Sequence, residues 1–77
     1  MNKERRKEIR KAMDLIDQAM AVLEFAAGGE QEAFDNMPES LQESDRGIAL
    51  QENADGLAEC AEDLGTVYDS LADICAG

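Results

Sequence analysis

At 77 residues and 8.4 kDa the chain has room for one domain with a small core; with no histidine and only two cysteines it lacks the commonest general bases and zinc-ligand sets. Hydrophobic residues make up 44% and aromatic residues only 4%, so a core must come from Leu, Ile, Met and Ala, a palette that favours helix over sheet. The formal charge is −11, yet six of the seven cations are Lys3, Arg5, Arg6, Lys7, Arg10 and Lys11; the acidic remainder disfavours nucleic acid and anionic membrane as partners and favours basic protein surfaces.

The first predicted element is a helix over residues 3–36. Ile9, Met13, Ile16, Met20, Leu23, Ala27, Phe34 and Met37 recur in alternating steps of four and three that skip only Glu30. That is the heptad rhythm of a helix packed along another helix. Ala12, Ala19, Ala26 and Ala33 flank this seam, with Leu15 and Val22 beside them, while Arg10, Asp17, Glu24 and Gln31 lie on the other flank. Gly28-Gly29 costs roughly 1 kcal/mol per glycine against alanine. The seam keeps its phase across the pair, so a continuous or gently kinked helix is expected rather than a break at Ala27. No aromatic residue stands among the amino-terminal cations, and direct nucleic-acid binding is not expected.

Residues 37–43 are predicted as a turn, because Pro38 cannot continue a helix and Ser40 with Glu43 has capping-box spacing. Phe34, Met37 and Leu41 are expected to fold over the open end of the seam, with Pro38 setting the reversal. Together with Arg46 they form a candidate recognition tip, since loops carry binding more often than scaffolds do.

The second predicted helix covers residues 44–76. Its seam is Leu50, Ala54, Leu57, Ala61, Leu64, Tyr68, Leu71 and Cys75, flanked by Cys60, Val67 and Ile74 on one side and by Ala58, Gly65 and Ala72 on the other. If the chain reverses at Pro38, Ile9 faces Cys75, Ile16 faces Tyr68, Leu23 faces Ala61 and Phe34 faces Leu50. The expected fold is therefore all-α: one domain over residues 1–77, a coiled-coil-like antiparallel hairpin of two helices. The apolar arc on the first helix spans roughly 160° at 100° per residue, wider than one facing helix covers. Homodimerisation into a four-helix bundle through Leu15, Val22, Val67 and Ile74 is the expected use of the surplus.

The stretch Glu30-Gln31-Glu32-Ala33-Phe34-Asp35-Asn36-Met37-Pro38-Glu39-Ser40-Leu41-Gln42, followed by Ser44-Asp45-Arg46-Gly47, resembles a family of short acidic helical proteins encoded in bacteriophages and mobile elements. The similarity extends to the basic helix before it and the acidic, Leu-rich helix after it. The resemblance implies a phage or prophage setting and no mechanism. Gly28-Gly29, Gly56 and Gly65 depart from the family pattern and bear on the rigidity of both helices.

Glu52, Asp55, Glu59, Glu62, Asp69 and Asp73 line the outside of the second helix, those three or four positions apart lying about 5 to 6 Å from each other. Such a row either keeps the protein in solution or imitates a phosphate backbone for a cationic groove. The function expected is that of a phage-type accessory protein, acting in the host cytoplasm, that binds and modulates, chiefly by inhibition, a host or phage protein through this acidic surface. A nucleic-acid-binding protein is the sharpest candidate partner. The alternative is a structural or assembly protein whose apolar helix faces multimerise. No enzymatic activity, cofactor or metal is expected: Tyr68 and both cysteines sit at packing positions, and inward Glu-x-x-His pairs of the di-metal bundles are missing. Cys60 and Cys75 are fifteen positions apart, about 22 Å along one helix, beyond disulfide reach. No run of residues is apolar enough to suggest a membrane span.

Overall fold

The computed structural model describes residues 1–77, of which 90% are helical and none lies in a strand. Helix α1 runs Lys3–Asp35 and opens on Asn2, whose side-chain oxygen accepts the Arg5 N–H at 2.8 Å. That cap satisfies one of the donors a helix leaves free at its start. It offsets part of the repulsion between the helix dipole and the cations of the first turns. At the other end the Asn36 N–H reaches the Glu32 carbonyl and the Met37 N–H reaches Phe34, after which Pro38 has no N–H to give.

The helix passes through Gly28 and Gly29 without interruption. Anchors on both sides account for this. Ala27 is buried, and just beyond the pair Glu30 accepts from Asn53 at 3.2 Å while Gln31 and Gln51 exchange two side-chain hydrogen bonds of 3.2 and 2.9 Å. Contacts to α3 thus outweigh a propensity deficit of roughly 2 kcal/mol for the two glycines.

The connection differs from a simple turn. Residues Glu39–Gln42 form a one-turn helix, α2, with Leu41 and Gln42 donating to the Pro38 carbonyl at 2.8 and 3.2 Å. The capping serine is also a different one. Ser40 lies within α2, whereas Ser44 caps the next helix, its hydroxyl accepting from the Gly47 N–H at 3.3 Å and donating to the Leu41 carbonyl. A capping box requires Glu or Gln three residues on, and Ser44 has Gly47 there, so the box template passes over it.

Glycine is required at that place by a close approach. A Cβ on Gly47 would lie 2.7 Å from the Gln42 carbonyl carbon and 2.8 Å from its Cα. Gln42 in turn donates its side-chain amide to the Phe34 and Met37 carbonyls at 3.2 and 3.4 Å, satisfying acceptors left over at the end of α1.

Helix α3 runs Asp45–Ala76 beside α1, giving a rod of 59 × 14 × 13 Å. Cys75 Sγ lies 3.9 Å from the Arg6 carbonyl at one end, Met20 reaches Gly65 in the middle, and Gln31 meets Gln51 near the other end. These contacts fix opposed helix directions. They also fall within a few residues of the register in which Ile16 faces Tyr68. Ile9, Met13, Ile16, Met20, Leu23 and Phe34 are half-buried on α1, as are Leu50, Leu57, Leu64, Tyr68, Leu71 and Cys75 on α3. Only Ala27, Gly47, Ala54 and Ala61 are fully buried, because small side chains are all that two helices alone can enclose.

Candidate interaction surfaces

Three surfaces arise from this arrangement, two of them charged. On α3 the seam claims every third or fourth residue, and the columns opposite it point away from α1. Glu52, Asp55, Glu59, Glu62, Asp69 and Asp73 all do so and all are exposed. From Glu52 to Asp73 the row covers about 31 Å of helix, one carboxylate per ~6 Å, roughly half the linear charge density of one DNA strand. No cation interrupts it, since Arg46 precedes the row and is the last basic residue of the chain.

The basic end is built by α1. Lys3, Arg5, Lys7, Arg10 and Lys11 are exposed, while Arg6 falls seven residues before Met13, where the seam continues, and is half-buried. Its Nε has no hydrogen-bond partner. Lys7, Arg10 and Lys11 share a shallow surface depression with Glu4, Glu8 and Asp14.

The opposite end is the turn. Phe34 and Met37 are half-buried there, whereas Pro38, Leu41 and Arg46 are exposed. The apolar cap over the seam therefore comes from two residues rather than three.

The third surface is apolar. Gln31 and Gln51 each follow a seam position, and their mutual hydrogen bonds place those two flanks on one side of the rod. The residues preceding a seam position, Ala19 and Ala26 on α1 with Cys60, Val67 and Ile74 on α3, consequently share the other side. Leu15, Val22, Val67 and Ile74 remain 47% to 67% exposed. The heptad pattern identifies these four but not Phe25, which is 86% exposed and stands next to Val22 in a column otherwise occupied by Lys11, Gln18 and Glu32. Its signal was the spacing of three from Val22, which lies off the heptad seam and so carried no weight in a search for helix pairing. A second depression, lined by Glu30, Glu52, Asn53, Gly56, Leu57 and Cys60, opens at the Cys60 end of this side.

Neither cysteine is bridged, Cys60 being exposed and Cys75 half-buried. No three His, Cys, Asp or Glu side chains converge as metal ligands, and no helix is long and apolar enough to cross a membrane. The class defined by fold and surface is thus an all-helical protein with one long helix pair, charged unequally at its two ends. Compared with protein-family models, curated proteins and solved structures, the chain matches none.

Proposed function

We propose that this is a non-catalytic, phage-type accessory protein, an antiparallel hairpin that dimerises into a four-helix bundle and binds a protein partner through the acidic face of α3. The observation that carries the reading is the exposed row from Glu52 to Asp73 on one continuous helix with no cation along it. A rigid helix holds its charges at fixed separations, which favours complementarity to a basic groove over a merely diffuse field. The partner best suited to the row is a nucleic-acid-binding protein, inhibited by occupation of its phosphate site in the host cytoplasm. Two rows related by a dimer axis bring the charge count close to that of a strand.

The test replaces Glu59, Glu62 and Asp69 by Lys and compares capture of host nucleic-acid-binding proteins by the wild-type and variant chains, with duplex DNA as competitor. Loss of capture by the variant, and displacement from the wild type by DNA, are the expected results. Equal capture by both chains, or indifference to DNA, rejects charge mimicry.

A second reading has its own support in the exposed apolar side. An assembly protein would use that side to multimerise, with the carboxylates serving solubility alone. Sedimentation separates the two, since an open assembly grows beyond the dimer with concentration.

A further inference from the structure

The isolated chain exposes 5713 Å², whereas a compact monomer of 8.4 kDa exposes about 4600 Å². The excess is on the order of 1100 Å². It follows from the rod shape, and one long face of 59 × 14 Å measures roughly 800 Å², the amount one partner buries in a specific interface. Between Leu15 and Ala33 on α1 and between Gly56 and Ile74 on α3, that side carries Asp63 as its one charged residue. Leu15, Val22, Val67 and Ile74 stand on it, exposed.

We infer that a second copy of this chain covers this side, with the two rods antiparallel about a two-fold axis at the level of Ala19 and Val67. The inference rests on the helix-pair reading above and specifies its dimer. Two observations select the arrangement. The first is the spacing of the apolar residues: an axis at that level brings Leu15 onto Val22 of the second copy, Ile74 onto Cys60 of the second copy, and Val67 onto its own counterpart. Each protruding side chain then meets an apolar one, as an isologous interface requires. Ala19, small and exposed, lets the two α1 helices approach at the centre.

The second observation is charge. One end of the rod holds the six cations of residues 3–11 against Glu4 and Glu8 of the same helix and Asp69 and Asp73 of α3, and is net positive, whereas the other holds Glu30, Glu32, Asp35, Glu39, Glu43 and Asp45 against Arg46 alone and is strongly negative. Rods packed antiparallel set each basic end beside an acidic end. Rods packed in parallel would set like beside like at both ends, which costs energy. The level of Ala19 is the midpoint of α1, so the antiparallel pair overlaps along the full helix. The acidic row of α3 stays outside this contact on both copies.

The experiment uses the full chain. Analytical ultracentrifugation is expected to find a dimer that does not grow with concentration, and Val22→Glu with Val67→Glu is expected to weaken dimerisation by roughly a hundredfold, since each introduced carboxylate would be buried without a partner. In a Cys60→Ala/Cys75→Ala background, Val67→Cys should form a disulfide-linked dimer under mild oxidation. Ser40→Cys, at the turn, should not. Cross-linking through Ser40→Cys but not Val67→Cys would overturn the antiparallel arrangement while leaving a dimer. A monomer at all concentrations, or an assembly larger than a dimer, would overturn the proposal altogether. The Lys substitutions at Glu59, Glu62 and Asp69 lie outside the contact, so a triple variant that still dimerises but captures nothing separates failure of this dimer from failure of the acidic-face reading.

Discussion

Replacing Gly47 by alanine tests how the turn is closed. Two opposing terms act at this position. Alanine is preferred to glycine in a helix by about 1 kcal/mol, and at Gly28 or Gly29, where a Cβ would meet nothing within 4 Å, that gain should appear undiminished. At Gly47 the new methyl would stand 2.7 Å from the carbonyl carbon of Gln42 and 2.8 Å from its Cα. Ordinary carbon contacts begin at about 3.5 Å, so the backbones must separate by roughly 0.7 Å or more. Neither atom belongs to a flexible side chain. Relief therefore strains the Gln42 amide contacts to Phe34 and Met37 and the Ser44 cap on the Gly47 N–H. Overpacking of about 1 to 3 kcal/mol, with a weakened cap of about 1 kcal/mol, exceeds the propensity gain and leaves a net loss of roughly 2 kcal/mol. At about 4 to 8 °C per kcal/mol for a chain of this size, Gly47→Ala should lower Tm by ~8 to 16 °C while Gly28→Ala raises it by ~4 to 8 °C. Thermal melts followed by far-UV circular dichroism at one protein concentration measure both. A Gly47→Ala chain that melts at or above the wild-type temperature would refute the close approach.

Other substitutions probe the pairing of α1 with α3. Ala61 is 2% exposed, so Ala61→Leu should push the helices apart and cost about 1 to 3 kcal/mol in urea denaturation; an unchanged midpoint would mean that the helices are not in contact there. Gln51→Ala leaves the Gln31 amide without its partner across the pair and should cost about 1 kcal/mol, with faster amide hydrogen exchange beyond Gly29 as the local readout. Arg6→Leu should act in the other direction. It replaces a half-buried side chain whose Nε lacks a partner by one that suits the seam, for a gain on the order of 1 kcal/mol. A destabilised Arg6→Leu chain would mean that the guanidinium makes contacts that outweigh its unsatisfied nitrogen.

The long elements were legible because heptad phase is a long-range signal repeated many times. Each of the apolar seam positions from Ile9 to Met37 and from Leu50 to Cys75 turns out at least half-buried, and no single residue decided the reading. Glu30, the one gap in the rhythm, occupies the seam as a hydrogen-bond acceptor for Asn53, a role that hydrophobic periodicity does not register. The connection was harder to read because it depends on a few local contacts. Ser40 fits the capping template and Ser44 does not, yet only Ser44 has a helix start in front of it, and that start is selected by the packing of Gly47 on Gln42. Phe25 was overlooked for the converse reason: it takes no part in pairing α1 with α3, so a pattern tuned to that pairing assigns it no place.

A rod of two helices has no interior in which to build a pocket, and its recognition properties must be distributed around its circumference. Helix α3 divides its surface into three columns: the seam toward α1, the flank of Cys60, Val67 and Ile74, and the carboxylates from Glu52 to Asp73. The apolar flank and the acidic column occupy different angular sectors of one helix, so occupation of the first by another chain leaves the second in solvent. Self-association and partner recognition can then be changed separately by substitution. The basic end of α1 links them electrostatically: its six cations are the main counterweight to the acidic body, and neutralising them by pairing with the acidic end of a second copy leaves the α3 rows as the dominant field of the assembly. On this reading the crowding of cations into residues 3–11 serves alignment, and the depletion of cations from residues 47–77 serves the partner.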